Sequence, residues 1–379
     1  MSEFFEYQNL TWPEIVGLPR DTPLVIPLGG GYDLSRLAEA LGNPKRISLL
    51  PAIPFGWQSS GLPVPVQILS AFLGNLLESL REDGFTRVYA LIPQGLGLNL
   101  GSQCVAQPVA GRLTPPPVLP GDDQREKVLL FPIGHTEQHA FHLPMNTDTL
   151  IIEAIARGAA ESIPARAFAL PAMPYGVSMH RTAFGGTLNA GGRAFEDFWL
   201  AILDTLTMRA FTRFYLLSGH GGNCSYLTNV VKYAGEQHLG TFIATAWLYL
   251  TSPQGLEILQ AHRQSGIGGM GHACELETSL IMHLRPDLVH MERAVDETEF
   301  ISTPSYYMDW VEGGALVANP PWEDDTRTGA YGAGSLGSAE KGRIWLQAAI
   351  IEKAAHVDEI HEQYSRRIAR RRELTALKP

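Results

Sequence analysis

The side chains best suited to chemistry crowd into three short stretches. The first runs Gly134-His135-Thr136-Glu137-Gln138-His139, with His142 and Asp148 close behind. Glu137 and His139 stand two apart, so on an extended backbone both project to one side and can reach one cation. Asp148 opens a helical stretch and shares its face with Ile151, Ile152 and Ile155. Taken alone it reads as a cap stabilised by the helix dipole. The second stretch is Ser218-Gly219-His220-Gly221-Gly222-Asn223, where glycines let the backbone approach a ligand while His220 points into the space. The third is Gly271-His272-Ala273-Cys274-Glu275-Leu276-Glu277. On the helix it opens, Glu277 lines up with Leu280, Ile281 and Leu284, where an unpaired carboxylate would cost several kcal/mol and a buried cation would remove the conflict. Glu275 falls on another face, as well suited to a solvated or capping acid as to a ligand. His272, at the helix entrance, is a candidate proton carrier. A mixed imidazole and carboxylate shell suits zinc, manganese or iron, and spacing does not choose among them.

Something must carry these stretches to a common place. Apolar or β-branched runs at 24–28, 88–92, 128–133, 214–217 and 242–250 predict strands, and residues 35–41, 66–82, 149–161, 194–209 and 275–284 show helical apolar spacing. That alternation predicts an α/β fold with a largely parallel sheet, whose carboxyl edge is where ligands bind. The chain also resembles itself. Leu50-Pro51-Ala52-Ile53-Pro54-Phe55-Gly56 parallels Leu170-Pro171-Ala172-Met173-Pro174-Tyr175-Gly176, and Phe85-Thr86-Arg87-Val88-Tyr89 parallels Phe211-Thr212-Arg213-Phe214-Tyr215. In the earlier copy Gln94 stands where His220 does, and Gly30-Gly31-Tyr32-Asp33 replaces the loop holding Glu137 and His139. The scaffold repeats and the ligands do not. The expected organisation is a degenerate half-domain at 1–104, a Pro/Gly-rich connector at 105–126, a catalytic domain at 127–365 and a basic tail at 366–379.

The 379 residues are 45% hydrophobic and 18% charged, enough apolar side chain for a sizeable core and too little charge for a solvated coil. A net charge of -10 gives nucleic acid no bulk attraction. No apolar run approaches the ~18 residues of a spanning helix, and the first residues carry no basic-then-apolar leader. Cys104, Cys224 and Cys274 are scattered and odd in number, which suits a reducing compartment, so a cytoplasmic location is expected. The arginines at 366, 367 and 370–372 read as a solvated helix face.

With these blocks in order, the chain resembles the creatininase family of amidohydrolases over about residues 128–352, including Tyr175-Gly176-Val177-Ser178 and the 334–342 segment. The resemblance implies a three-layer α/β/α sandwich, here preceded by a truncated copy of the same unit. It also implies two divalent ions, zinc first and manganese or iron as alternatives, held by Glu137, His139, Asp148, His220 and Glu277 with Asp148 bridging. His272 would be the catalytic histidine, and Glu275 or Glu277 would take a proton from the activated water. His180 and Arg181 stand where most members carry a Glu-His pair, so they join Asn223 and Trp247 as candidate substrate contacts. Creatininase itself has an acidic ligand where this chain has Gly222, which argues against creatinine as substrate. Cys274 replaces a usual glycine without a base beside it to make it a nucleophile. The expected activity is hydrolysis of an amide bond in a small cyclic amide, formamide or biosynthetic intermediate, in a pocket walled by Trp247, Phe141 and Trp310. A peptidase trimming a short peptide and a non-catalytic scaffold are the alternatives. Oligomerisation is a family trait, and the ligand-free copy is expected to occupy the place of a neighbouring subunit.

Overall fold

A computed structural model describes residues 2–109, 111, 118–179, 183–310 and 313–376. Its strands form two parallel sheets and one small antiparallel one. Glu3–Glu6 (β1), Leu24–Pro27 (β2), Arg46–Leu49 (β3), Val88–Pro93 (β4) and Cys104–Gln107 (β5) make the first sheet, in the order β1-β3-β2-β4-β5. Val128–Ile133 (β6), Ala167–Ala169 (β7), Arg213–Ser218 (β8) and Phe242–Ala246 (β9) make the second, in the order β7-β6-β8-β9. Met270–His272 (β10), Asp296–Glu297 (β11) and Tyr331–Ala333 (β12) pair antiparallel as β10-β12-β11. The helices are Trp12–Val16 (α1), Leu34–Ala40 (α2), Val66–Glu82 (α3), Thr147–Ser162 (α4), Gly192–Met208 (α5), Cys224–Gln237 (α6), Pro253–His262 (α7), Glu275–Leu284 (α8) and Ala339–Ala376 (α9).

β6 reads Val-Leu-Leu-Phe-Pro-Ile and is buried throughout, as a parallel strand covered on both faces must be. Its side chains alternate: Leu129, Phe131 and Ile133 pack with α5 and α6, while Val128 and Leu130 pack with α4, α8 and α9. The second sheet is therefore the middle of a three-layer α/β/α sandwich. Its strands all point the same way, so the loops after β6 and β8 open on one edge.

The two parallel sheets share more than strand direction. β2 is flanked by β3 and β4, and β6 by β7 and β8. Leu24 pairs with Val88 as Leu129 pairs with Phe214, and the bridge Leu28 to Ile53 has its counterpart in Ile133 to Met173. The helices that follow β3 and β7, α3 and α5, pack on each other. Their apolar faces recur at helical spacing, Leu69, Phe72, Leu73, Leu76 and Leu80 on α3 against Phe195, Phe198, Ile202 and Leu206 on α5. Phe72 and Phe198 lie 4.8 Å apart between ring centres. Polar bonds flank the seam: Asn75 Nδ2 donates to the Ala190 carbonyl at 2.7 Å, and the Tyr175 hydroxyl donates to the Pro51 carbonyl at 2.6 Å.

Some boundaries differ from expectation. β9 ends at Ala246 rather than 250 because Leu248 takes a left-handed backbone (φ 35°) that no strand can continue through. Residues 105–107, placed at the start of the connector, belong to the edge strand β5, paired with β4. Pro115, Pro116 and Pro117 of that connector lie outside the described residues. The basic tail is not a separate piece, since α9 runs unbroken through residue 376 with Arg366, Arg367 and Arg370 exposed on it. Trp57, Trp199 and Trp345 are buried, as core residues. Among the described residues no helix is long and apolar enough to cross a membrane.

Candidate metal centre

The three stretches meet at the carboxyl edge of the second sheet. β6 ends at Ile133 and delivers His135, Glu137 and His139; β8 ends at Ser218 and delivers His220; Asp148 sits in the first turn of α4; β10 delivers His272, and the first turn of α8 delivers Glu277. Glycine allows the close approach at position 219, where a Cβ would lie 2.4 Å from the Asp148 carbonyl oxygen. His139 and His272 are each followed by an alanine with left-handed backbone, Ala140 (φ 52°) and Ala273 (φ 50°), a conformation held at some cost where the surroundings over-determine it.

Glu137, Asp148 and Glu277 are all buried here beside four buried imidazoles. Three of the rings follow one rule. His220 Nε2 donates to the Val177 carbonyl at 2.8 Å, which leaves the Nδ1 lone pair 3.0 Å from Glu137 Oε1 and 3.4 Å from Asp148 Oδ2. His139 Nδ1 donates to the Glu137 carbonyl at 3.2 Å, leaving Nε2 3.1 Å from Asp148 Oδ1. His272 Nε2 donates to the Gln138 carbonyl at 2.6 Å, leaving Nδ1 3.6 Å from Glu137 Oε1. Lone pairs turned onto carboxylate oxygens in a buried space repel unless a cation or proton lies between them, and an imidazole fixed by one N–H to a carbonyl is the usual support of a metal ligand. The donor set therefore fits divalent metal. His135, Glu137 and His220 form one group able to hold an ion, Glu137, His139 and His272 a second, and His139, Asp148 and Glu277 a third. Asp148 presents one oxygen to His139 and the other to His220, the disposition of a bridging carboxylate.

All five expected ligands and His272 are thus brought together. Glu275 is not, and its expected proton-transfer role is corrected. Its carboxylate accepts from the Gln264 and Ser265 amides at 2.9 and 2.8 Å and pairs with Lys341 at 2.6 Å. Burial alone would raise its pKa, but Lys341 and the Ser265 and Gln264 donors outweigh it and hold the carboxyl below its usual range. Asn223 is also corrected: Oδ1 accepts from the Val177 amide at 2.9 Å and Nδ2 donates to the Gly134 carbonyl at 3.2 Å, so the fully buried amide ties loops together and does not line the cleft. His180 and Arg181 lie outside the described residues. Cys274 is fully buried, and burial with the neighbouring Glu277 pushes its thiol pKa up, the opposite of a nucleophile.

Beside the cluster opens a cleft of about 500 Å³ with Trp247, Trp310, Trp322, Tyr306 and Met308 in its walls. Trp247 and Trp310 stand 5.3 Å apart between ring centres, and Trp322 makes a T-shaped contact with His272, 5.0 Å between ring centres. Phe141, expected in this wall, instead stacks on Trp12 at 5.6 Å. Sequence reasoning left His135 out of the site, although the alternation that paired 137 with 139 extends equally to 135. Trp322 carried no local signal.

A family model described as creatininase, creatinine amidohydrolase, matches residues 113–357. The chain is 27% identical over 243 residues to a creatinine amidohydrolase of Pseudomonas putida, covering 59% of this chain and 85% of that protein. It is 32% identical over 173 residues to a mycofactocin precursor peptide peptidase of Mycobacterium tuberculosis, covering 44% of this chain and 61% of the peptidase. A crystal structure of a creatinine amidohydrolase (creatininase) superposes with a TM-score of 0.51 at 25% identity, covering 64% of this chain and 92% of the other.

Proposed function

The chain belongs to the creatininase family of amidohydrolases, and on that premise we propose that it hydrolyses the amide bond of a small molecule bearing a flat, apolar-faced group, with water activated at two divalent ions. The observation that carries this is the uniform setting of His139, His220 and His272, each tied by one N–H to a carbonyl and turned lone pair first onto a carboxylate. Glu137, His139, Asp148, His220 and Glu277 would hold the ions, zinc, manganese or iron. Two such ions supply Lewis acidity and a hydroxide near neutral pH. The residues do the rest. His272 Nδ1 faces the cluster and can take a proton and pass it to the departing nitrogen, while Glu277, with Glu275 excluded, takes one from the attacking water. The aromatic walls favour a planar substrate over a peptide backbone, which needs polar partners along its length. Elemental analysis of protein purified without chelator, followed by a screen of lactams, formamides, N-aryl amides and short peptides, tests the proposal. Bound metal with turnover of the small amides is expected; metal-free protein or turnover of peptides alone overturns it. The similarity to a peptide peptidase keeps peptide trimming as the second reading.

We also propose that residues 2–107 are a degenerate copy of the catalytic unit, seated through the equivalent helices α3 and α5 where a second subunit would pack. The matched strand orders and pairings support it, and contact between equivalent surfaces is the mark of a two-fold interface.

A further inference from the structure

We infer that His135 is a positioning residue of the metal centre: a fixed N–H donor, not a ligand, that keeps Glu137 presenting a single oxygen to the ion. His135 breaks the rule its three neighbours obey. Its Nδ1 accepts the Gly176 backbone N–H at 2.9 Å, so in the neutral ring the proton resides on Nε2. That N–H faces Glu137 Oε2 at 3.9 Å, and the ring lies 4.5 Å from the His220 ring. A nitrogen carrying a proton has no lone pair for a metal. The Ser178 hydroxyl donates to the same Oε2 at 3.1 Å, whereas Oε1 faces the lone pairs of His220 and His272. Glu137 is thus held at Oε2 by the Ser178 hydroxyl, with the His135 N–H facing the same oxygen, and presents Oε1 toward the imidazole lone pairs where the cation would sit. At 3.9 Å the His135 contact is electrostatic rather than a hydrogen bond, but between fully buried groups such a contact acts with little screening.

Two substitutions separate the ring's functions. His135→Asn keeps an acceptor at the Nδ1 position for Gly176 and deletes the inward donor. His135→Gln places an amide N–H where Nε2–H was and gives up the acceptor. The inference rests on the metal-centre reading, so Co²⁺ titration of the unaltered protein comes first: no binding there overturns that reading itself. Given binding, the Asn variant is expected to bind the same number of Co²⁺ ions about 10- to 100-fold more weakly, the effect of losing an orienting partner. The Gln variant should stay within roughly threefold and keep the unaltered visible absorption of the Co²⁺ form. Loss of one ion and a changed spectrum in both variants would make His135 a ligand and overturn the inference. Full affinity in Asn with loss in Gln would reduce His135 to a partner of Gly176 and overturn it equally.

Discussion

Gly222 gives the sharpest test of how the centre is held. The residue sits beside the bond that orients His220, and an added Cβ would lie 2.4 Å from His220 Nε2 and 2.4 Å from the Val177 carbonyl oxygen that accepts its proton. Moving either atom from 2.4 Å to the 3.0 Å that Cβ contacts reach requires a shift of about 0.6 Å. Metal–ligand distances tolerate about 0.2 Å, so Gly222→Ala must displace the candidate ligand His220, break its orienting bond, or both. The lost bond is worth about 1 kcal/mol and disturbance of such a support weakens metal binding about 10- to 100-fold, or roughly 1.4 to 2.7 kcal/mol. Competition between the protein and a chromogenic chelator for Zn²⁺ or Co²⁺ measures this directly, with a thermal melt by circular dichroism to confirm that the variant folds. Gly222→Glu, which restores the acid found in creatininase itself, is expected to bind metal worse still, because the larger side chain meets the same two atoms. Alanine affinity within threefold of the unaltered protein, or a gain with glutamate, would refute the reasoning.

Glu275→Gln should leave metal stoichiometry unchanged by elemental analysis yet lower stability by about 2 kcal/mol in urea, because it removes the charge that Lys341 and the Gln264 and Ser265 amides share, while Lys341 keeps the Gln264 side chain and the Leu336 carbonyl. His142 is pushed down to about 4 by burial and by His139; since the unfolded chain binds its proton more readily between pH 6.5 and 4, this group's contribution, roughly 3 kcal/mol, is present above pH 6.5 and lost as pH falls toward 4. His142→Gln, which can still bond Thr278, should flatten that part of the stability profile measured by denaturant melts. Phe198→Ala removes a buried ring from the seam and should cost about 3 to 5 kcal/mol, read as a lower melting temperature, with metal stoichiometry retained; a melt unchanged within a degree would show that the α3–α5 contact is not part of the stabilising core.

The sequence carried the elements that local pattern determines. α3 and α8 are where the apolar spacing puts them, at Val66–Glu82 and Glu275–Leu284, and β6 is the continuous apolar run it appeared as. The convergence of the candidate ligands was legible because strand ends and a helix face restrict where a side chain points. What escaped depended on distant partners. Glu275 and Glu277 are two apart on one helix, and only Lys341 from α9 decides that the first is a structural acid. Asn223 looked available until the Val177 and Gly134 backbones claimed both ends of its amide. The tautomer of each histidine likewise depends on which backbone group folds against it, and no spacing in the chain encodes that.

Because α3 and α5 belong to one covalent chain, the surface they cover cannot be uncovered by dilution. A two-subunit enzyme loses such a surface when its concentration drops below the dissociation constant, so its stability and its assay depend on how much protein is in the tube. Here the two helices are tethered, and the melting temperature of their contact should not vary with protein concentration. Among the described residues the groups able to hold a metal all come from residues 135–277, so the proposed amino-terminal copy would bring no second centre to be coupled cooperatively with the first.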